Sequence, residues 1–144
     1  MEAAFDRRTG QWETFGWDEH GRAERGWRRL DGVVCADLVA KATVGRIAFT
    51  HQALPVVLPV ALRSPTSPMR FEVGDGALLD AARLAQVVCF QTDSGDVGEG
   101  SWSVAIVGHL SVHSEWPDVA GAPVALIELN AELVTGRCRE PVAP

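Results

Sequence analysis

The chain has 144 residues, of which 47% are apolar and 22% are charged, and its formal net charge is −6 at pH 7. This length and composition predict one folded globular domain and exclude a disordered or fibrous chain. The longest apolar runs are far too short to cross a bilayer, and the charged first thirty residues lack the apolar segment of a secretion signal. We therefore expect a cytoplasmic protein with no membrane partner.

The charge distribution and the cysteine spacing argue against two further classes, nucleic-acid-binding proteins and metal-binding proteins. Residues 1–30 carry six acids and six arginines, which leaves thirteen acids against seven bases in residues 31–144. This acidic balance gives no electrostatic support to nucleic-acid binding. Cys35, Cys89 and Cys138 are far apart and match no metal-ligand spacing, so we expect buried, reduced thiols and no metal site.

The first thirty residues differ in texture from the rest of the chain. They contain Trp12, Trp17 and Trp27, four glycines and no Ile or Val, and they follow neither a helical nor a strand period. Two interpretations remain open: an arm that covers a ligand or a partner subunit with its tryptophans, or a loosely ordered extension. We divide the chain into this arm, residues 1–30, and a domain over residues 31–144.

From Asp31 onwards the pattern becomes regular and predicts a helix followed by a hairpin. Asp31 can cap a short helix over residues 33–42, whose apolar positions fall near helical spacing. Strands over residues 44–50 and 54–62 follow, joined by a tight turn. The prolines of the second strand confine it to positions where a missing N–H is tolerated.

The remaining elements are a third strand, a second helix and three further strands. The third strand covers residues 69–73, and Gly74-Asp75-Gly76 leads into a helix over residues 77–85. Strands over 86–92 and 102–113 follow, with Gly108 as a candidate bulge, and the last strand covers 124–129. The pattern predicts a mainly β fold, a small β-barrel with short helices; an open antiparallel α+β sandwich is the alternative.

Several of these segments together resemble a known family. In chain order they are Val44-Gly45-Arg46, Leu54-Pro55 through Pro59-Val60, Phe71, Val88 to Phe90 with Asp93, Gly100-Ser101-Trp102-Ser103-Val104, and Ile127-Glu128 leading to Val134-Thr135-Gly136-Arg137. With this order and spacing the chain resembles the short pyridoxamine 5′-phosphate oxidase-like proteins, the flavin-binding split β-barrels. The resemblance covers about residues 30–137. It implies a split barrel, a homodimer and a flavin-type cofactor at the subunit interface.

The resemblance also implies where a cofactor phosphate would be held. Relatives grip it after the third strand with a stretch like F-x-T-x-x-G-S-K-L, in which a Thr, a Ser and a Lys or Arg hold the phosphate. Here Val73, Ala77 and Leu78 stand in place of those three groups. Because each hydrogen bond to a charged group contributes about 1.5–3 kcal/mol, the grip is degenerate. Only backbone N–H groups around Gly76 and Ala77 remain as a generic anion site.

Binding of a phosphate-bearing flavin then depends on a cation from elsewhere in the chain. Glu72 and Asp75 make the local field less favourable still for a phosphate dianion. Flavin mononucleotide (FMN) is expected to bind weakly unless a compensating arginine reaches the phosphate. The candidates are Arg46, Arg70, Arg83 and the arginines of the arm.

Two further segments are expected to contact the flavin ring. A flat tricyclic ring needs an apolar slot with a few backbone hydrogen bonds, and the strand over residues 57–60 would supply it. In relatives the strand that begins at Trp102 crosses the dimer interface near the flavin; a role of Trp102 in the barrel core is an equal alternative. The expected cofactor-binding residues are Val57, Leu58, Pro59, Val60, Gly76, Ala77, Trp102 and Ser103.

No catalytic constellation is visible, so any redox chemistry would belong to the cofactor. FMN is the expected cofactor, with deazaflavin or haem as alternatives. His109 and His113 share a face of one predicted strand about 13 Å apart, which favours solvent-facing positions over a shared ion. The sequence thus predicts an FMN- or deazaflavin-binding, oxidoreductase-like protein of unknown substrate. The alternative is a non-catalytic binding or dimerisation module that has lost its cofactor.

Overall fold

The computed structural model describes residues 5–6, 11–12, 26–64 and 68–140, so Trp17 lies outside the described residues. In chain order the elements are β1 (Phe5–Asp6), β2 (Gln11–Trp12), β3 (Trp27–Arg29), α1 (Gly32–Ala40), β4 (Val44–His51), β5 (Leu54–Ser64), β6 (Met69–Gly74), α2 (Ala77–Arg83), β7 (Val87–Asp93), β8 (Trp102–Pro117) and β9 (Pro123–Arg139).

Six antiparallel strands close into a barrel. Their order is β9-β6-β5-β4-β7-β8, and β8 pairs back onto β9, so the ring has no open edge between its first and last strand. The mainly β barrel with two short helices is confirmed, and the closed ring excludes the open sandwich. β3 lies outside the ring and pairs with β9, so the last residues of the sequence-defined arm extend the sheet.

The hairpin β4–β5 follows directly from its sequence. Gln52 and Ala53 form a two-residue turn, both with positive φ (51° and 63°), which matches the twist of the two strands. Along β4, Ile47 and Phe49 are buried while the residues between them are exposed. Gly45 also faces inwards, where a Cβ atom would collide with the ring of Phe90. The glycine of the Val44-Gly45-Arg46 motif is therefore explained by close packing.

The barrel interior is filled by large apolar side chains and covered by both helices. The rings of Phe71 and Phe90 lie 5.7 Å apart between centroids, and both side chains are fully buried. At α1, the Asp31 side chain accepts a 3.0 Å hydrogen bond from the N–H of Val34, as predicted for an N-cap. Helix α2 buries Leu78 and Leu79 in the same core.

The last two strands are longer than the sequence pattern predicts. β8 continues to Pro117, and β9 runs without interruption through the segment that follows residue 129. The predicted irregularity at Gly108 is present, but the extra residue is Glu132 on β9, because Val107 pairs with Leu133 and Gly108 with Ala131. A Cβ atom on Gly108 would clash with the backbone of Asn130.

Candidate functional site

The outward side of strands β5, β4, β7, β8 and β9 forms one continuous surface, which we call the outer face. Residues paired across neighbouring antiparallel strands point to the same side of a sheet, so a row of partners marks this surface. The central row is Pro59, Arg46, Gln91, Ala105 and Thr135, one residue from each strand. Polar side chains thus meet small and apolar ones in the middle of the face.

A hydrogen-bonded polar cluster lies on this row. The Gln91 side chain donates through Nε2 to Oδ2 of Asp93 at 2.8 Å and to Oγ of Ser103 at 3.1 Å. Arg46 Nη1 lies 3.8 Å from the same Asp93 oxygen, and the N–H of Gly95 donates to Oδ1 at 2.7 Å. The hydrogen bond from Gln91, supported by Gly95 and Arg46, lowers the pKa of Asp93 and keeps it ionised.

Next to the cluster the outer face carries a shallow depression of about 230 Å³, which we call the notch. Its residues come from three adjacent strands and offer an amide, two hydroxyls and a guanidinium around a small apolar floor. They are Gln91, Ser103, Ala105, Thr135, Gly136 and Arg137. Ligand pockets usually have volumes of about 300–1,000 Å³, so the notch is one wall of a site rather than a complete pocket.

The outer face also carries exposed valines. The exposed fractions are 58% for Val44, 60% for Val57 and 65% for Val87, and all three point outwards. A strand surface of this kind is usually polar where it faces water. The outer face therefore combines exposed apolar side chains with a polar centre.

A second depression, of about 480 Å³, lies beside α2. Its residues include His51, Asp80 and Leu84, and its one guanidinium, Arg83, donates to Oε1 of Glu115 at 2.6 Å. The guanidinium group of Arg83 is therefore already paired with a carboxylate. We therefore take the notch as the candidate site.

Comparison with known proteins assigns this chain to a family. The model of the pyridoxamine 5′-phosphate oxidase family matches residues 33–137, most of the chain. The chain belongs to this family. No match was found among curated proteins.

Solved structures share the fold over most of the chain. The FAD binding protein from Mycobacterium smegmatis is 23% identical over 78% of this chain and 97% of its own, with a TM-score of 0.61. A FAD-binding protein from Mesorhizobium loti is 22% identical over 79% and 99%, with a TM-score of 0.63. The FAD and heme binding protein from Mycobacterium smegmatis is 11% identical over 78% and 73%, with a TM-score of 0.58. The fold class predicted from the sequence, a split β-barrel, is confirmed.

In this protein the side chains of the predicted ring-binding strand, residues 57–60, point to two different sides of the sheet. Val57 and Pro59 point outwards, whereas Leu58 and Val60 pair with the inward residues Ile47 and Gly45. Val60 is 8% exposed and belongs to the core. Successive side chains of a strand point to opposite faces, so only Val57 and Pro59 share the outer face with the notch.

The same alternation separates Trp102 from Ser103. Ser103 lines the notch, and Trp102 packs against the barrel core next to buried Val104. The backbone N–H of Trp102 donates to Oγ of Ser94 at 3.0 Å, which fixes the start of β8. Ser103 remains a candidate contact with the flavin. Trp102 has the position in the barrel core that was the alternative to a flavin contact.

Gly76 and Ala77 lie far from the notch. They follow Gly74, whose partner on β9 pairs with the far end of β8, the end opposite to Ser103. Helix α2 has seven residues, and no side chain caps its start. Leu78, at the family's cation position, is buried in the core. Within one chain, the position at which the family holds the phosphate therefore lies far from the notch.

The candidate compensating arginines have different surroundings. Arg70 Nε donates to Oε1 of Glu128 at 2.8 Å, and Arg83 is held by Glu115, so both are paired away from the notch. Arg46 lies on the outer face and is balanced by Asp93. The arm supplies Arg29, which lies directly opposite Arg137 on β9. No periodicity marks the arm, so nothing in its sequence indicates this pairing.

The histidines are bound to separate carboxylates. His109 Nδ1 lies 2.9 Å from Oε1 of Glu132, and His113 Nδ1 lies 3.2 Å from Oε1 of Glu128. Within the described ranges no group of three His, Cys, Asp or Glu side chains could hold a metal ion. No described helix is long and apolar enough to span a membrane.

The cysteines are free thiols, as predicted, although they are not equally buried. Cys35 is fully buried, while Cys89 and Cys138 are partly covered. Burial, with Asp31 nearby, raises the pKa of Cys35 to about 11, and burial raises the pKa of Cys89. Cys35 and Cys89 therefore favour the neutral, unreactive form at neutral pH.

Proposed function

We propose that the protein binds a flavin, with the isoalloxazine ring on the outer face at the notch. The observation that carries this proposal is the convergence of Gln91, Ser103 and Thr135 on a small apolar floor, on a face that also carries exposed valines. The FAD-binding names of structurally similar proteins support it.

The residues present fit the two chemical sides of such a ring. Val57, Ala105 and Val107 offer an apolar surface for its flat face. The amide of Gln91 and the hydroxyl of Ser103 offer donors and acceptors for the nitrogen and oxygen atoms along its polar edge. When bound, a flavin supplies hydride or electron transfer, and the protein supplies binding and orientation.

A second copy of the chain supplies the other wall of the site in this proposal. The notch is smaller than a usual ligand pocket, and the valines of the outer face are exposed in the single chain. Covering Val44, Val57 and Val87 would remove apolar surface from water, which favours association. The resulting homodimer would enclose the ring between two outer faces.

The family's usual phosphate position is not used in this proposal. Ala77 and buried Leu78 offer no charged donor, and α2 is too short to give a strong dipole. The flavin is therefore FMN, FAD or a deazaflavin held mainly through its ring and by a cation elsewhere. Haem is not favoured, because both histidines of β8 are engaged by glutamates.

The test is binding of riboflavin, which has the ring and no phosphate. We expect tight quenching of riboflavin fluorescence by the wild-type protein, and at least about tenfold weaker binding by Ala105→Trp, which fills the notch. Val97→Trp, in an exposed loop, is the matched control and should bind as the wild type does. A colourless protein that binds neither riboflavin nor FMN, FAD or deazaflavin would overturn the proposal and support a non-catalytic module.

A further inference from the structure

A cluster of arginines lies beside the notch, where the outside strand β3 pairs with the end of β9. Trp27 is directly opposite Arg139, and Arg29 is directly opposite Arg137. Because these residues alternate with Arg28 and Cys138, the four side chains lie on one side of the sheet. We call Arg29, Arg137 and Arg139 the arginine cluster.

Trp27 holds two of these guanidinium groups close together. The Cζ atom of Arg137 lies 4.9 Å from the centroid of the Trp27 ring, and that of Arg139 lies 5.4 Å from it. A cation at this distance from an indole is attracted by the ring. Two long side chains are thereby restrained, which reduces the entropy lost when they bind a ligand.

The cluster concentrates positive charge in an acidic protein. Arg29 and Arg137 carry like charges and lie directly opposite each other on β3 and β9. Among the described residues, neither Arg29 nor Arg139 forms an ion pair with a carboxylate, whereas their neighbour Arg28 lies 3.8 Å from Glu140. Arg29 and Arg139 can therefore offer their guanidinium groups to an external anion.

We propose that the arginine cluster binds the phosphate end of the flavin, in place of the family's position at the start of α2. This inference rests on the proposed function, because it assigns the phosphate of the same ligand. Arg137 belongs both to the cluster and to the notch, so the two sites are continuous. Ser103, Arg137 and Arg29 are successive partners across three strands.

The distances suit such a ligand. Two strand spacings amount to about 10 Å, which a ribityl chain can span between a ring at Ser103 and a phosphate at Arg29. Guanidinium groups match phosphate oxygens through paired N–H donors, which makes arginine well suited to this task. The ligand class is therefore a phosphate monoester or a pyrophosphate attached to an aromatic ring.

The test compares FMN with riboflavin in charge-removing variants. We expect the wild-type protein to bind FMN at least about tenfold more tightly than riboflavin. Arg29→Gln and Arg139→Gln should each weaken FMN binding about ten- to a hundredfold and leave riboflavin binding unchanged. Arg28→Gln is the matched control on the same strand, and it should change neither affinity.

Inorganic pyrophosphate, measured by calorimetry, separates this inference from the proposed function. If neither riboflavin nor another flavin binds but pyrophosphate binds and its binding is lost in Arg29→Gln, the anion site stands and the flavin proposal fails. If riboflavin binds while FMN has no advantage, or while Arg28→Gln weakens FMN as much as Arg29→Gln does, the anion site is overturned and the flavin proposal stands. If neither riboflavin, FMN nor pyrophosphate binds, both are overturned.

Discussion

The Sγ atom of Cys35 on α1 occupies the space that a side chain on Gly136 of β9 would need. The backbone N–H of Leu30 donates to the carbonyl oxygen of Gly136 at 2.8 Å, so the strand cannot move away easily. This contact joins the leading helix to the segment of β9 that borders the notch. Its close packing leads to the first prediction.

Replacing Gly136 by alanine should destabilise the protein by about 1–3 kcal/mol, because the added methyl group overpacks a site with no free space. Chemical denaturation measures the change. In the double variant with Cys35→Ala the cost should be smaller than the sum of the two single costs, since the blocking sulfur is gone. Gly74→Ala, where a Cβ atom meets nothing within 4 Å, is the control and should be nearly neutral. Equal losses at both glycines would contradict the packing argument.

The turn between β4 and β5 is a place where the protein can be stabilised. Ala53 has a φ of 63°, which costs an L residue about 1 kcal/mol and glycine almost nothing. Ala53→Gly should therefore raise the free energy of unfolding by up to about 1 kcal/mol, measured by urea titration. The same change at exposed, extended Ala61 should lower it by about 0.5–1 kcal/mol. Effects of the same sign at both positions would refute the prediction.

Stability should decrease at high pH because of Cys35. Its pKa is about 11 in the folded protein and 9.0 as the unperturbed value, so the folded state holds the proton more tightly. The contribution is fully present below pH 9.0 and is lost as the pH rises towards 11, with a total of about 3 kcal/mol. Urea unfolding as a function of pH measures this loss. Cys35→Ala should show a shallower decline over the same window, and an unchanged slope would contradict the assignment.

Val57 should be important for association of two chains. A carboxylate in place of a valine that is 60% exposed should not disturb the fold of one chain, but it would be buried without a partner in the proposed interface. Val57→Asp should therefore shift a dimer to a monomer in sedimentation experiments while the thermal midpoint of the monomer is retained. Val119→Asp, in a fully exposed turn, serves as the control. A wild-type monomer, or a dimer insensitive to Val57→Asp, would exclude this interface.

A negative charge added at the start of α2 should not weaken binding of a flavin phosphate. Ala77→Asp adds a negative charge at the family's phosphate position, and Ala77→Asn adds a side chain of similar shape without the charge. If the phosphate lies at the arginine cluster, FMN should bind both variants within about threefold of each other, as measured by fluorescence titration. A loss of tenfold or more in Ala77→Asp relative to Ala77→Asn would return the phosphate to α2.

Much of the barrel could be read from local pattern. The alternation of Ile47 and Phe49 with exposed residues and the cap at Asp31 each have a short-range physical cause. The bulge was placed on the wrong strand, because which strand carries the extra residue depends on pairing between β8 and β9. The ends of those strands were also missed, since their length is set by mutual hydrogen bonding.

The candidate site was only partly predictable. Ser103 lines the notch and Pro59 shares the outer face, but Leu58 lies on the opposite side of its strand, Trp102 packs against the core, and Gly76 lies at the far end of the barrel. Proximity in the chain does not tell which of two adjacent strand residues shares a surface with a distant segment.

The sequence by itself determined the family and the barrel, because turns, caps and alternating side chains act over a few residues. Only the tertiary structure decided that Arg29 lies beside Arg137 and that Gln91 joins Ser103, since these contacts come from strands distant in the chain. Strand pairing is set by closure of the whole ring, which no local segment encodes. The surface that we propose for a flavin and its phosphate therefore exists only in the folded chain.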